Sequence, residues 1–230
     1  MKKKSCLGSI FTNIFLAVLI IGLYHATQPG SDVIPASAPA YRGSGEMAAL
    51  QFTVSWNAAA LSDIMDILKD ADIAATFAVS GEWAEQNPDA LRRMAEEGHE
   101  IATMGYYPNM DGGLSWVKED LERAISSIES VCGERPALYY VGDRSIAVSS
   151  IVSKKMKLTQ VSCTIDLLTA KGSGADIISR LPEKPIEGSI MLLQPTAACA
   201  EALPGILAAL EQKGLKAVCT GDVLGLRDQL

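Results

Sequence analysis

Histidine is nearly absent from this chain. Its 230 residues hold two, His25 and His99, and one imidazole beyond residue 48 excludes a site that needs two histidine ligands and a histidine acid. No CxxC pair occurs among the five cysteines, Cys6, Cys132, Cys163, Cys199 and Cys219. Their odd count and irregular spacing argue against a disulfide framework or a cysteine-built zinc site, which leaves small buried hydrophobes as their reading. Basic clusters are missing after Lys2-Lys3-Lys4, and 27 acidic against 20 basic side chains give a net charge of −7. That balance removes nucleic acid from the expected partners. Aromatic residues make up only 6% of the chain, so each of them has to be placed individually.

Charge is also missing from Ser5 to Ser31, where Lys, Arg, Asp and Glu do not occur and an apolar heart runs from Ile14 to Leu23. A helix needs about 20 residues to span a bilayer core, and Ser5 to Tyr24 supplies them. Lysines before the span and none soon after it predict a cytoplasmic tip and a single transmembrane anchor over 1–26, with the remainder extracytoplasmic at the cell membrane. A cleaved signal peptide is the competing reading, but the small-x-small candidate Ala36-Ser37-Ala38 lies far beyond the apolar run. Residues 27–47, rich in Pro, Ala, Ser and Gly, read as a flexible linker.

Beyond it, short apolar strands alternate with helical patterns. Strands are predicted at 49–54, 73–79, 99–104, 137–141, 158–164, 189–193 and 216–219. Helices are predicted at 59–69, 89–97, 116–131, 176–181 and 201–213. On the first helix Leu61, Ile64, Met65 and Leu68 share one face. Gly98 and Gly214 follow helix ends, and Pro88 sits where a helix starts. Seven strand–helix units imply a parallel sheet with crossover helices, either an open sheet or a barrel.

Two stretches narrow this further. Ile73-Ala74-Ala75-Thr76-Phe77-Ala78-Val79-Ser80-Gly81-Glu82-Trp83-Ala84-Glu85-Gln86-Asn87-Pro88 and Gly98-His99-Glu100-Ile101-Ala102-Thr103-Met104-Gly105-Tyr106-Tyr107-Pro108 resemble the NodB-homology polysaccharide deacetylases. The closest pattern is that of the sporulation-associated branch, ATFFxxGxWAExxP followed by GHEIGxHxxxH. The resemblance implies an α/β fold, a distorted (β/α)7-type barrel over 48–230, and the chemistry of a metal-dependent amide hydrolase. That family uses a divalent, zinc-like metal, a carboxylate base and a histidine acid, gathered at the carboxyl ends of the strands.

Each of those positions is replaced here. In Gln51-Phe52-Thr53-Val54-Ser55-Trp56 the family's base aspartate matches Thr53 and its metal-binding aspartate matches Val54. The two ligand histidines match Met104 and Pro108. In Leu192-Leu193-Gln194-Pro195-Thr196 the histidine acid matches Gln194. The third motif reads Tyr139-Tyr140-Val141-Gly142-Asp143 in place of an arginine and a proline–glycine turn. Asp166 is retained in Ile165-Asp166-Leu167-Leu168-Thr169-Ala170-Lys171-Gly172. His99, directly after the glycine, is not a family ligand and reads as a hydrogen-bonding residue at a strand start.

The expectation is therefore no metal, no cofactor and no intact catalytic set. Asp111, Asp143 and Asp166 without imidazole support would make only a weak hard-cation site. Trp56, Tyr106, Tyr107, Tyr140 and Asp166 are the candidate ligand-cleft residues, with core filling the rival role for Trp56, Tyr106 and Tyr140, and Trp83 reads as core. Gly172-Ser173-Gly174 is either an anion cradle or a plain turn at a helix start. The function expected is a membrane-anchored pseudoenzyme that binds cell-wall glycan or a protein partner, in a sporulation setting that the resemblance alone suggests. The rivals are an active carbohydrate or peptidoglycan N-deacetylase with an atypical site, and a scaffold whose cleft is filled by its own side chains.

Overall fold

The computed structural model describes residues 16–17, 38–56, 58–184 and 186–226. The chain divides into two units, Met1–Pro35 and Ala36–Leu230. Of the first, only Leu16 and Ala17 are described; both are helical and exposed. The expected transmembrane anchor otherwise lies outside the described residues, among which no helix is long and apolar enough to cross a membrane.

The second unit alternates strand and helix as its pattern implies. Strand β1 (Met47–Val54) leads to helix α1 (Leu61–Asp70), which buries Leu61, Ile64, Met65 and Leu68. Strand β2 (Thr76–Val79) is followed by a short helix α2 (Gly81–Gln86), capped by the Ser80 hydroxyl accepting from Trp83 N–H. Helix α3 (Pro88–Glu96) starts on its proline, where a missing N–H is tolerated. Gly98, at φ +80°, turns the chain into strand β3 (Glu100–Thr103). Helix α4 (Leu114–Cys132) ends on Gly133 in the left-handed region. Then come strand β4 (Leu138–Tyr140), helix α5 (Ile146–Lys155), strand β5 (Thr159–Val161) and strand β6 (Ile165–Asp166). Helix α6 (Gly174–Ser179), strand β7 (Ser189–Leu193), helix α7 (Ala197–Gln212), strand β8 (Lys216–Val218) and the one-turn helix α8 (Thr220–Val223) complete the unit.

Most boundaries shift by one to three residues from the sequence reading, and two of the differences have a visible cause. The strand expected over 158–164 stops at Val161, because residues 162–164 leave the β4 ladder, and a separate strand β6 begins at Ile165 on β7. Helix α7 begins four residues before the expected Glu201, because the Thr196 hydroxyl accepts from Cys199 N–H and caps it there.

All strand pairings are parallel, in the order β5-β4-β3-β2-β1-β7-β6, with β8 on β1 beside the lower end of β2. The sheet curls into a half-barrel: its strand path ends at β5 and β6, which do not pair with each other. Residues 38–46, expected within the flexible linker, are bonded into the domain instead. Ala40 N–H donates to Gln160 O at 2.8 Å, Ser162 N–H donates to Ala40 O at 2.8 Å, and Gly43 N–H donates to Gly188 O at 2.8 Å. The backbone groups that β5 would otherwise leave unpaired explain why this segment is held.

Alternation along the strands sorts residues between two faces. Ala48, Leu50, Phe52 and Val54 of β1 pack with Phe77, Val79, Met191 and Leu193 against the helices. Ala49, Ala78, Ala102, Leu138 and Val161 line the concave side. The base of that concavity is closed by α8: Thr220 N–H donates to the Thr76 hydroxyl at 2.7 Å and Gly221 N–H to Glu100 Oε2 at 2.9 Å. What stays accessible is the upper end, where the strands finish.

Candidate functional site

Thr53, Met104 and Gln194 stand at the carboxyl ends of β1, β3 and β7. Thr53 follows Ala49 and Gln51 on the concave side of β1, half-buried, and its hydroxyl donates to Leu193 O at 3.4 Å. Met104 continues the alternation of Glu100 and Ala102, with its N–H donating to Val79 O at 3.0 Å. Gln194 extends β7 past the Phe52–Leu193 register pair. Its main chain is clamped by the Thr169 hydroxyl, which accepts from Gln194 N–H at 2.6 Å and donates to Gln194 O at 3.1 Å. The Gln194 side chain is exposed. Pro108 lies half-buried in the loop after β3.

Val54 does not join them. It is fully buried in the core between sheet and helices, beside Leu50 and Phe52. The expectation that all five replaced positions share one cleft is corrected for this residue: a β-branched apolar side chain directly after Thr53 takes the opposite face of the strand.

The donor set at these strand ends does not fit a divalent, zinc-like metal. Thr53 offers a neutral hydroxyl, Met104 a thioether and Gln194 an amide, with no imidazole beside them. Asp111 is spent on the backbone, accepting from Gly112 N–H at 2.8 Å and from Ser145 N–H at 3.0 Å. Among the described residues, no three His, Cys, Asp or Glu side chains group as a metal site. His99 sits at the opposite end of the sheet, where its Nδ1 accepts from Ala75 N–H at 3.2 Å and its ring meets Phe77 edge-on. Burial pushes its pKa below the ordinary imidazole value, so the ring stays neutral.

Aromatic and acidic groups surround the upper end. Trp56, in the turn after β1, is 83% exposed, and Tyr107 is 37% exposed. Tyr140 is half-buried, and its phenol is pushed well up by burial, by the Cys163 thiol and by Asp166 and Asp143. Asp166 is exposed, one oxygen accepting from Leu168 N–H at 2.8 Å. Tyr106, named with these as a cleft residue, is buried. Its hydroxyl donates to Glu85 Oε2 at 2.7 Å and accepts from Arg123, whose guanidinium lies 3.5 Å over the ring. Burial and Glu85 raise the Tyr106 phenol to about 12, and hydrogen bonds from Ser127 and Tyr106 hold Glu85 below the usual carboxylate range. Tyr106 packs away from the cleft because this carboxylate and Gly81 meet it on the helix side.

Two residues that position the site escaped the sequence reading. Asp120 of α4 accepts from Tyr106 N–H at 2.9 Å and from Tyr107 N–H at 2.8 Å. It also pairs with Arg144 at 2.7 Å. Arg144 in turn donates to Tyr107 O at 2.7 Å and Met110 O at 3.0 Å. This buried pair holds the loop that carries Tyr107 and Pro108. The available signal was a carboxylate on the apolar stripe of Val117, Leu121 and Ala124. Gly105, at φ +85°, is required there, since a Cβ would stand 2.3 Å from Asp120 Oδ2. The Gly172-Ser173-Gly174 turn resolves as a helix start, Ser173 and Asp176 forming a capping box on α6. Trp83 is core. Cys199 and Cys219 are buried and Cys132 and Cys163 half-buried, and none of the four is in a disulfide.

A polysaccharide deacetylase family model matches residues 41–161, more than half of the chain. The uncharacterized protein YlxY of Bacillus subtilis is 27% identical over 198 residues, covering 83% of this chain and 61% of YlxY. A peptidoglycan-N-acetylglucosamine deacetylase of Bacillus cereus is 30% identical over 169 residues, covering 67% of this chain and 60% of that protein. The chain thus spans less than two thirds of these relatives. Among solved structures, BA3943 of Bacillus anthracis, described as a CE4 family pseudoenzyme, superposes with a TM-score of 0.76 at 24% identity. That match covers 82% of this chain and 69% of the other, and at this identity it is a likeness of fold.

Proposed function

The chain belongs to the polysaccharide deacetylase family, and from that premise we propose that it is a catalytically silent member whose cleft binds cell-wall glycan. One observation carries the reading: the strand ends where the chemistry requires a base, a ligand and an acid present Thr53, Met104 and Gln194. Hydrolysis of an acetamide needs a water activated by a base and a leaving amine protonated by an acid. A hydroxyl and a carboxamide do neither at neutral pH. Their neighbours Trp56 and Tyr107 keep exposed aromatic faces, which suit the apolar face of a sugar ring. The domain is held at the cell membrane by the charge-free segment after Lys2-Lys3-Lys4 and works on the extracytoplasmic side. A sporulation setting follows from the resemblance of the motifs.

Acetate release from an N-acetylated chitin oligomer or from peptidoglycan, followed beside pull-down on the same glycan, tests this. Retention on glycan with acetate at the level of the buffer blank is the expected result. Acetate release that a chelator abolishes would replace it with the active, atypical deacetylase. Protease added outside intact cells should digest the domain, and full protection would reverse the orientation.

A further inference from the structure

A cavity of about 340 Å³ lies away from the strand ends, between the start of β5, the last turn of α5 and the segment 38–40 that crosses the sheet edge. Ala38, Ala40 and Leu158 form apolar walls, and Ser153, Lys154 and Gln160 bring polar groups to it. The sequence makes room there in two ways. Helix α5 buries the small side chains of Ser149, Ser150 and Ser153, and Ala40, bonded to Gln160 O and to Ser162 N–H, fixes the crossing segment on the edge. Gln160 is the register partner of Tyr139, whose ring packs on the α5 side, so the Gln160 side chain leaves the sheet on that side too. It is 7% exposed, and among the described residues neither its Nε2 nor its Oε1 has a hydrogen-bond partner. The nearby hydroxyls are engaged elsewhere. Tyr139 and Ser149 meet at 3.2 Å, and Ser153 donates to Ser150 O at 3.2 Å. A buried carboxamide with a free donor and a free acceptor costs stability unless something pairs with both. Its complement is another amide, which offers a C=O to Nε2 and an N–H to Oε1. Lys154 is exposed, as are Lys155 and Lys157. Among the described residues the lysines in ion pairs are Lys69 and Lys118, so none of these three meets a carboxylate. The sequence reading passed over this positive spot because the net charge of −7 conceals it. The helix dipole accounts for lysines in a last turn, but not for the unpaired amide beside them.

We propose that this cavity binds the carboxyl end of a short peptide. The amide before the last residue pairs with Gln160, which turns on its side-chain torsions without breaking a hydrogen bond. The terminal carboxylate meets Lys154, and a small side chain such as that of alanine lies against Ala38, Ala40 and Leu158. A chitin sugar also carries an amide, but it has no charge for Lys154, and no aromatic side chain lines the cavity to receive its ring. The site is separate from the cleft at the strand ends and does not depend on the glycan-binding reading.

The test titrates the full-length chain, in mild detergent at low salt, with N-acetyl-alanyl-alanine in its L,L and D,D forms, by calorimetry. The free acid is expected to bind about tenfold tighter than its carboxamide, with the difference shrinking as salt rises. Tighter binding of the L,L form assigns the end of a protein, and of the D,D form a cell-wall peptide. Gln160→Leu should abolish binding while keeping or raising the melting temperature, since it removes an unpaired buried amide. Lys154→Ala, an exposed position, should bring the acid and the carboxamide together. No binding to a chain with native circular dichroism overturns the inference, as does equal binding of acid and carboxamide. A Gln160→Leu variant that binds like the parent, or that melts well below it, also overturns it. So does N-acetylmuramic acid, an amide and a carboxylate on a sugar, if it binds tighter than the peptide and loses that binding in Gln160→Leu. Retention on glycan should be unchanged in Gln160→Leu, so the two readings fail separately.

Discussion

Asp120 and Arg144 are 2.7 Å apart with side chains 3% and 1% exposed, and together they satisfy four main-chain groups of the loop from Tyr106 to Met110. Removing one partner leaves a charge buried and unpaired, which costs about 3–5 kcal/mol where both were desolvated. Arg144→Ala should therefore lower the unfolding free energy obtained from urea titration by that order, with Asp120→Asn less severe because the amide still accepts from part of the loop. A change under about 1 kcal/mol would mean that water enters and rescues the pair. His99 makes a second expectation. Its folded pKa lies below the unfolded value of about 6.5, so the unfolded chain binds the extra proton. Stability should be full above that pH and decline as pH falls from there toward the depressed folded value. His99→Gln should flatten this part of the stability–pH curve, and an unchanged slope in the variant would assign it to other groups. At this scale the sequence was legible where a residue's own chemistry decides, as for Thr53 or Gln194. It was opaque where the partner decides: Tyr106 and Tyr107 are adjacent and chemically alike, yet Glu85 and Arg123 take one into the interior and leave the other out.

Elements were read from periodicity, and they survive where a period is long. Helix α1 buries the four residues that share its apolar stripe, because nothing else in that segment can cover the sheet. Helix α5 was not marked out, because Ser149, Ser150 and Ser153 are buried on it and break the apolar stripe. The segment before β1 was the larger omission. Its composition reads as a linker, but Arg42 Nε donates to Glu187 O at 3.0 Å and the main chain of residues 40–44 ties β5 to the start of β7. Composition reports what a segment lacks, not the open sheet edge waiting for it. Gly43 shows how close the fit is: a Cβ there would sit 1.9 Å from Val223 O, a main-chain atom of α8 that cannot move aside cheaply. Gly43→Ala should detach this crossing or displace α8, at a cost of about 1–3 kcal/mol. Faster amide exchange at Ser162, whose N–H donates to Ala40 O, would report the detachment. Unaltered exchange with unaltered stability would show that the crossing contributes nothing.

On the scale of the whole molecule, the alternation of strands and helices gave an all-parallel α/β sheet, and only the motif resemblance bent it into a barrel; its curl and its open side were not legible, since closure depends on which edges meet. That geometry also decides what can be rebuilt. Four substitutions, Thr53→Asp, Met104→His, Pro108→His and Gln194→His, act at positions on or above the strand ends. The fifth, Val54→Asp, would place a carboxylate among Leu50, Phe52, Val79 and Leu193, in a core with no cation to meet it. A buried unpaired carboxylate either takes up a proton or destabilises by several kcal/mol, and it points away from the concave side. The four-residue variant should keep close to the parental melting temperature, yet lack one carboxylate of the family's ligand set. The five-residue variant should melt well below it and bind zinc no better. Neither should release acetate, because groups that act as a unit fail together when one is missing. Zinc titration, thermal melting and acetate assay of the parent and both variants separate the outcomes. A five-residue variant that keeps its melting temperature, binds one zinc ion and releases acetate would show that the end of β1 can turn residue 54 into the cleft.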